Sequence, residues 1–131
     1  QTKQLKLTIM KQIIFKAKSL ESGEWVYGNY VHSKRFEGCF NEHRIINIET
    51  GLETDVDGKT ICMFIGEYDK KKNMIFEGDI LRTDEAGWIG KVVFEKALFC
   101  VVDNEGGYSF FPNWKKCKII GNIFDNPELL K

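Results

Sequence analysis

The sequence predicts a mainly-β fold, a barrel or a sandwich, and three observations carry that reading. Alanine is confined to Ala17, Ala86 and Ala97 while Ile, Val and Phe are plentiful, which favours pleated strands over helices. Apolar and polar residues alternate with the period of two that a half-buried strand requires. Glycine-containing turn signals punctuate the chain at short intervals, as they do in domains built from many short strands. With 131 residues, 43% of them hydrophobic and 29% charged, the chain can bury a core and is not of disordered composition.

The elements follow in order. In Ile13–Lys18, Ile13, Phe15 and Ala17 alternate with Ile14, Lys16 and Lys18, which predicts a strand with one buried face and one largely wet face. Glu21-Ser22-Gly23 turns the chain into a returning strand over Glu24–Val31, where Gly28 marks a bulge or a close backbone approach. Arg35–Phe40 and Arg44–Ile48 are further strand candidates, and Thr50-Gly51 and Asp57-Gly58 are turn signals. Lys59–Tyr68 looks buried on both faces, as a central strand would be. After the charged turn Asp69–Asn73, Met74–Thr83 bends at Gly78 into a strand at Asp79–Arg82. Asp84–Gly87 is a loop. Trp88–Glu95, with a bulge expected at Gly90, pairs with Leu98–Asp103 across Lys96-Ala97. Asn104–Gly107 is a hairpin turn, Tyr108–Phe111 a short strand closed by Pro112, and Cys117–Phe124 the last strand. Asp125 or Asn126 as cap, Pro127 at the first helical position and Glu128 at the positive dipole end predict a short helical turn at 125–131.

Charge and cysteine usage narrow the function classes. Lys+Arg 19 against Asp+Glu 19 gives a net charge of +0, so the basic excess typical of a nucleic-acid binder is missing. No run reaches the roughly 18 apolar residues of a membrane span. Lys3 and Lys6 interrupt the apolar residues of Gln1–Met10, so no export signal is expected and the location expected is cytoplasmic. Cys39, Cys62, Cys100 and Cys117 are widely spaced without a C-x-x-C and are expected as reduced thiols.

Candidate chemistry is sparse. His32, Cys39 and His43 lie close in sequence, but zinc wants a fourth ligand and a tighter pair spacing, so no metal site is expected. Glu77 and Asp79 would share a face of an extended strand and could act in acid–base work or hold a hard cation. The preferred reading is that Asp79 bonds a tight turn around Gly78, because no third ligand or base accompanies the pair. Trp25, Trp88, Trp114, Tyr108, Phe110 and Phe111 could stack on bases beside Lys70–Lys72, Lys115, Lys116 and Lys118. Core filling and edge protection explain the same residues more simply.

Three segments together resemble the YopX-like family of phage and prophage proteins: Met10–Val26 (MKQIIFKAKSLESGEWV), Phe64–Leu81 (FIGEYDKKKNMIFEGDIL) and Ile119–Leu130 (IIGNIFDNPELL). Lys71-Lys72 replaces the family's usual Asn-Gly turn, so Asn73 is the expected positive-φ residue. The resemblance leaves Gln1–Ile9 unmatched and expected to be loosely ordered. It implies a β-rich protein of phage or prophage origin whose second half is a small SH3-like barrel, and it brings no catalytic residues.

The organisation expected is therefore an extension at 1–9, a hairpin-rich β subdomain at 10–68, an SH3-like barrel at 69–124 and a helical turn at 125–131, sharing one core. The function expected is a non-enzymatic binding or assembly module without cofactor, recognising a protein or a further copy of itself. The alternative is a nucleic-acid-binding module using Trp88, Tyr108, Lys115, Lys116 and Lys118 on the barrel face.

Overall fold

The computed structural model describes residues 13–83 and 87–131. The expected extension Gln1–Ile9 and most of the expected Asp84–Gly87 loop lie outside the described residues. Two antiparallel sheets make up the fold. The first has six strands in the order β4-β3-β2-β1-β5-β6: β1 (Phe15–Lys18), β2 (Trp25–His32), β3 (His43–Ile46), β4 (Glu53–Asp55), β5 (Cys62–Tyr68) and β6 (Met74–Phe76). The second has five in the order β10-β9-β8-β7-β11: β7 (Asp79–Arg82), β8 (Ile89–Glu95), β9 (Leu98–Val102), β10 (Tyr108–Ser109) and β11 (Lys118–Asn122). One sheet gives way to the other at Glu77-Gly78.

Each sheet is open, which corrects the expected closed barrel. β11 returns beside β7 and β10 lies at the far edge, so the ladder does not close on itself. Closure would need β10 and β11 to pair. Instead the 3-10 turn Trp114–Lys116 sits between them, with Cys117 buried beneath it.

Several local expectations are also corrected. Arg35–Phe40 contains no strand, and the chain instead adds the three-residue strand β4, paired with β3 in the register Arg44↔Asp55. Lys72, not Asn73, takes the positive φ (66°) of the Asp69–Asn73 turn. Gly90 sits in an unbroken register with Leu81 and is not a bulge; a Cβ there would meet Val101 Cγ1 at 2.7 Å, so close packing fixes the residue. The chain ends in a 3-10 turn, Pro127–Leu130, whose N-cap Asn126 makes no side-chain cap bond.

The core runs across both sheets. Ile75 of β6 packs with Leu81, Val92, Val101 and Cys117, and Ile65 of β5 joins them. In the reverse direction Phe124, beyond β11, packs on Cys62, Phe64 and Phe76 of the first sheet. A third cluster, Ala17, Ile45 and Val56, lies within the first sheet. Backbone bonds reinforce the junction: Glu77 N–H donates to Met63 O and Gly78 N–H to Val92 O, both at 2.9 Å, while Ile123 N–H donates to Gly78 O at 2.9 Å. Gly78 supplies the positive φ (89°) that makes this bend.

Gly28 is a close approach. A Cβ there would lie 2.0 Å from Ile46 O, so β2 and β3 meet only because the residue has no side chain. Gly28→Ala is therefore expected to force the two backbones apart and lower stability by at least about 2 kcal/mol, measured by urea unfolding. Gly23→Ala, at an open turn with nothing within 4 Å, is expected to cost less, about 1 kcal/mol from its φ alone.

Candidate functional site

A cleft of about 430 Å³ opens where the edge of the first sheet, β6, faces the edge of the second, β11. Asn73, Met74 and Phe76 line one side, Ile119, Gly121 and Asn122 the other, and β1 and β2 close the floor with Lys16, Trp25 and Tyr27. The register of β1 on β2 sets Lys16 opposite Tyr27 and Lys18 opposite Trp25, which brings two ammonium groups onto an aromatic wall. Lys16 Nζ lies 4.5 Å from the Trp25 ring centroid and 4.9 Å from that of Phe76, and Lys18 Nζ lies 5.5 Å from Trp25. Tyr27 meets Phe76 edge-on at 5.7 Å and stays half exposed.

Two carboxylates face this wall, and neither is free. Asp79 is 3% exposed; its Oδ1 takes a charged hydrogen bond from Lys16 Nζ at 3.3 Å and its Oδ2 accepts the Phe76 N–H at 2.8 Å. Burial pushes the Asp79 carboxyl above the ordinary range, and the Lys16 cation and Phe76 N–H oppose this without cancelling it. Asp125 is bonded by Lys18 through Oδ1 and by Trp25 Nε1 at 2.8 Å and Asn122 Nδ2 at 3.0 Å through Oδ2. These three donors hold it down at about 2. A general base needs a lone pair directed at a substrate proton. Here the carboxylate oxygens facing the cleft already accept bonds from the chain itself.

The sequence-predicted residues do not gather in one place. Glu77 and Asp79 do not share a face: the Gly78 bend sends Asp79 into the cleft, while Glu77 lines a separate hollow with Cys62 and Lys91. The turn role holds for Asp79, through its bond to Phe76 N–H. Trp88 and Lys116 flank one hollow of about 180 Å³, and Trp88 Nε1 donates to Asp103 at 2.7 Å. Tyr108 stacks on Phe110 at 5.1 Å and donates its hydroxyl to Glu95 at 2.7 Å. Lys115 and Lys116 are exposed on the 3-10 turn and Lys118 is half-buried in β11. Of the histidine–cysteine group, His32 and His43 come together, joined by Glu42, whereas Cys39 Sγ turns to Asn41 O at 3.2 Å.

The sequence reading missed Lys16, Lys18, Tyr27 and Asp125. It expected Lys16 on the wet face of β1, yet Lys16 is 7% exposed. The available signal was cross-strand: both lysines of β1 fall opposite aromatic residues of β2 once the Glu21–Gly23 turn fixes the register.

The YopX protein family profile matches residues 14–131, nearly the whole chain. The chain belongs to the YopX protein family. Among solved structures it is similar to the crystal structure of protein EF1440 from Enterococcus faecalis, at 21% identity, with 93% of this chain and 100% of that chain covered and a TM-score of 0.54. That likeness is one of fold. No curated protein matches the chain.

In this YopX-family chain the segments that carry the resemblance converge on the cleft: Lys16 and Trp25 come from the first, Phe76 and Asp79 from the second, Asn122 and Asp125 from the third. Their bonds join parts of the chain 63 and 107 residues apart, Lys16 to Asp79 and Lys18 to Asp125.

Lys16→Met would leave the Asp79 carboxylate buried without its cation and is expected to cost about 3–5 kcal/mol. The double variant Lys16→Met/Asp79→Asn is expected to lose less than the sum of the two single losses in urea unfolding, because neither charge is then stranded. For Asp125 the depressed value fixes the sign. Its contribution is complete above its unfolded value of about 3.9 and is lost as pH falls toward about 2. Melting curves of Asp125→Asn should therefore fall less steeply between about pH 4 and 2 than those of the unaltered chain.

Proposed function

We propose that this YopX-family chain is a non-enzymatic binding module that recognises protein through the cleft between β6 and β11. The observation that carries the reading is the state of the cleft itself: its aromatic wall is open while its carboxylate oxygens accept bonds from within the chain. A general base must reach a substrate proton, and both carboxylates of the cleft are engaged within the chain. A site built for recognition needs accessible aromatic surface with a few polar groups at its margin, which Tyr27, Trp25, Met74 and Asn122 supply.

Recognition is assigned to side chains rather than to strand addition. Ile119 N–H of β11 already donates to Asp69 Oδ2, and Asn122 N–H donates to Asn126 Oδ1, both at 3.2 Å, so this edge has bonded amides at two of its positions. A partner inserting an apolar or aromatic side chain beside Tyr27 gains burial without competing for those bonds. The phage or prophage origin implied by the resemblance is compatible with such a module.

Panning a displayed random-peptide library on the immobilised chain tests the proposal. Enriched peptides are expected to bind the unaltered chain at least about tenfold more tightly than Tyr27→Ala, with both proteins folded by melting. Absence of enrichment, or equal binding to the two proteins, contradicts it.

The alternative, nucleic acid held by Trp88, Tyr108, Lys115, Lys116 and Lys118, draws support from the shared hollow of Trp88 and Lys116. Asp103 and Glu95, bonded to the two aromatic residues, place negative charge where phosphates would pass. A low-salt gel shift is expected to show no retention; retention that falls with salt and is lost in Lys116→Ala would replace the protein-binding reading.

A further inference from the structure

We propose that His32, Glu42 and His43 form a binding site for one divalent transition-metal ion of the zinc class, where β2 ends and β3 begins. The two histidines are direct partners in the β2–β3 register, so the ladder places their imidazoles side by side. The rings stack at 4.5 Å between centroids and 13° between planes. Glu42 precedes β3 and brings its carboxylate to the same point: Oε1 lies 3.1 Å from His32 Nε2 and 4.0 Å from His43 Nε2. One donor atom from each residue falls within 4.8 Å of the others. Ligand bonds of about 2.0–2.2 Å in a tetrahedral site put donors roughly 3.4 Å apart, so closure needs side-chain shifts of about an ångström.

His43 is already positioned as a ligand. Its Nδ1 lies 2.6 Å from the Tyr30 hydroxyl, and a Cβ at Gly58 would stand 2.4 Å from its Cδ2, so the ring is held from two sides as well as by His32. With the proton on Nδ1 donated to the Tyr30 oxygen, Nε2 presents its lone pair outward. His32 and Glu42 are about half exposed, with side chains at 55% and 46%, which leaves an entry path and room for a water as fourth ligand. The ion takes the place of the hydrogen between His32 Nε2 and Glu42 Oε1: the neutral ring carries its one proton on Nδ1, Nε2 gives its lone pair to the metal, and nothing is oxidised or reduced. Two imidazoles and one carboxylate select zinc, nickel or copper over magnesium and calcium, which prefer all-oxygen shells. A bound ion would clip the 33–42 connection, which carries the exposed rings of Phe36 and Phe40, to the ends of both strands.

Titration calorimetry of the untagged chain with Zn²⁺, with the His Hε1 signals followed by NMR, tests the proposal. One site of micromolar affinity is expected, with the His32 and His43 signals moving together and millimolar Mg²⁺ moving neither. His32 is exposed and Glu42 half exposed, so His32→Asn and Glu42→Gln are expected to remain folded while each weakens Zn²⁺ by about tenfold or more. Cys39→Ser is expected to bind as the unaltered chain does. No heat and no shift at millimolar Zn²⁺, unchanged affinity in His32→Asn, or loss of binding in Cys39→Ser would each overturn it.

Discussion

A buried ion pair between β1 and β7, Lys16 with Asp79, is the constraint on which the junction of the two sheets depends. Two charges taken out of water are tolerated only when each finds bonded partners, because desolvation otherwise outweighs their attraction. Asp79 finds Lys16 and the Phe76 N–H; the Lys16 ammonium is also covered by the Trp25 and Phe76 rings. That requirement fixes the bend at Gly78, which alone lets Asp79 reach back to Phe76 while the chain passes from one sheet to the other. It also fixes where Tyr27 and Trp25 stand, since both come from the strand paired with β1.

The same arrangement occupies the acids of the cleft with bonds inside the chain. Acids beside aromatic rings in an open cleft are the raw material of many active sites, yet here they close the fold. Asp79 and Asp125 act as two latches of different character. The first is deeply buried and held above the usual carboxylate range by burial; the second is exposed and held well below it by Lys18, Trp25 and Asn122. Because a depressed value is what makes stability acid-labile, Asp125 and not Asp79 is the latch that acid opens. What stays open in the cleft is the aromatic wall and its polar rim.

Most of the β architecture was legible in the sequence because strand period, turn glycines and apolar runs are local signals. The hairpin of β1 and β2, the bend at Gly78 and the pairing of β8 with β9 all rest on residues within a few positions of one another. What was not legible depends on pairing across distance. Lys16 reads as a solvated lysine until Asp79, 63 residues away, is placed beside it. The closed barrel failed for a similar reason: whether β10 meets β11 is decided by the intervening 3-10 turn and the burial of Cys117, not by either strand alone. His32 and His43 are neighbours in the sequence, but only the fold sets them side by side as β2–β3 partners, brings Glu42 Oε1 to His32 Nε2 and turns Cys39 away to Asn41 O.

Native-state hydrogen exchange at the sheet junction tests the central claim most directly. The amides of Phe76, Gly78 and Ile123 bond to Asp79, Val92 and Gly78 respectively, so they report the latch and the bend together. If the ion pair ties the sheets into one cooperative unit, these three amides exchange only through global unfolding, at the same free energy as the amides of the β8–β9 ladder. Fast local exchange at all three while the β8–β9 amides stay protected would contradict the account.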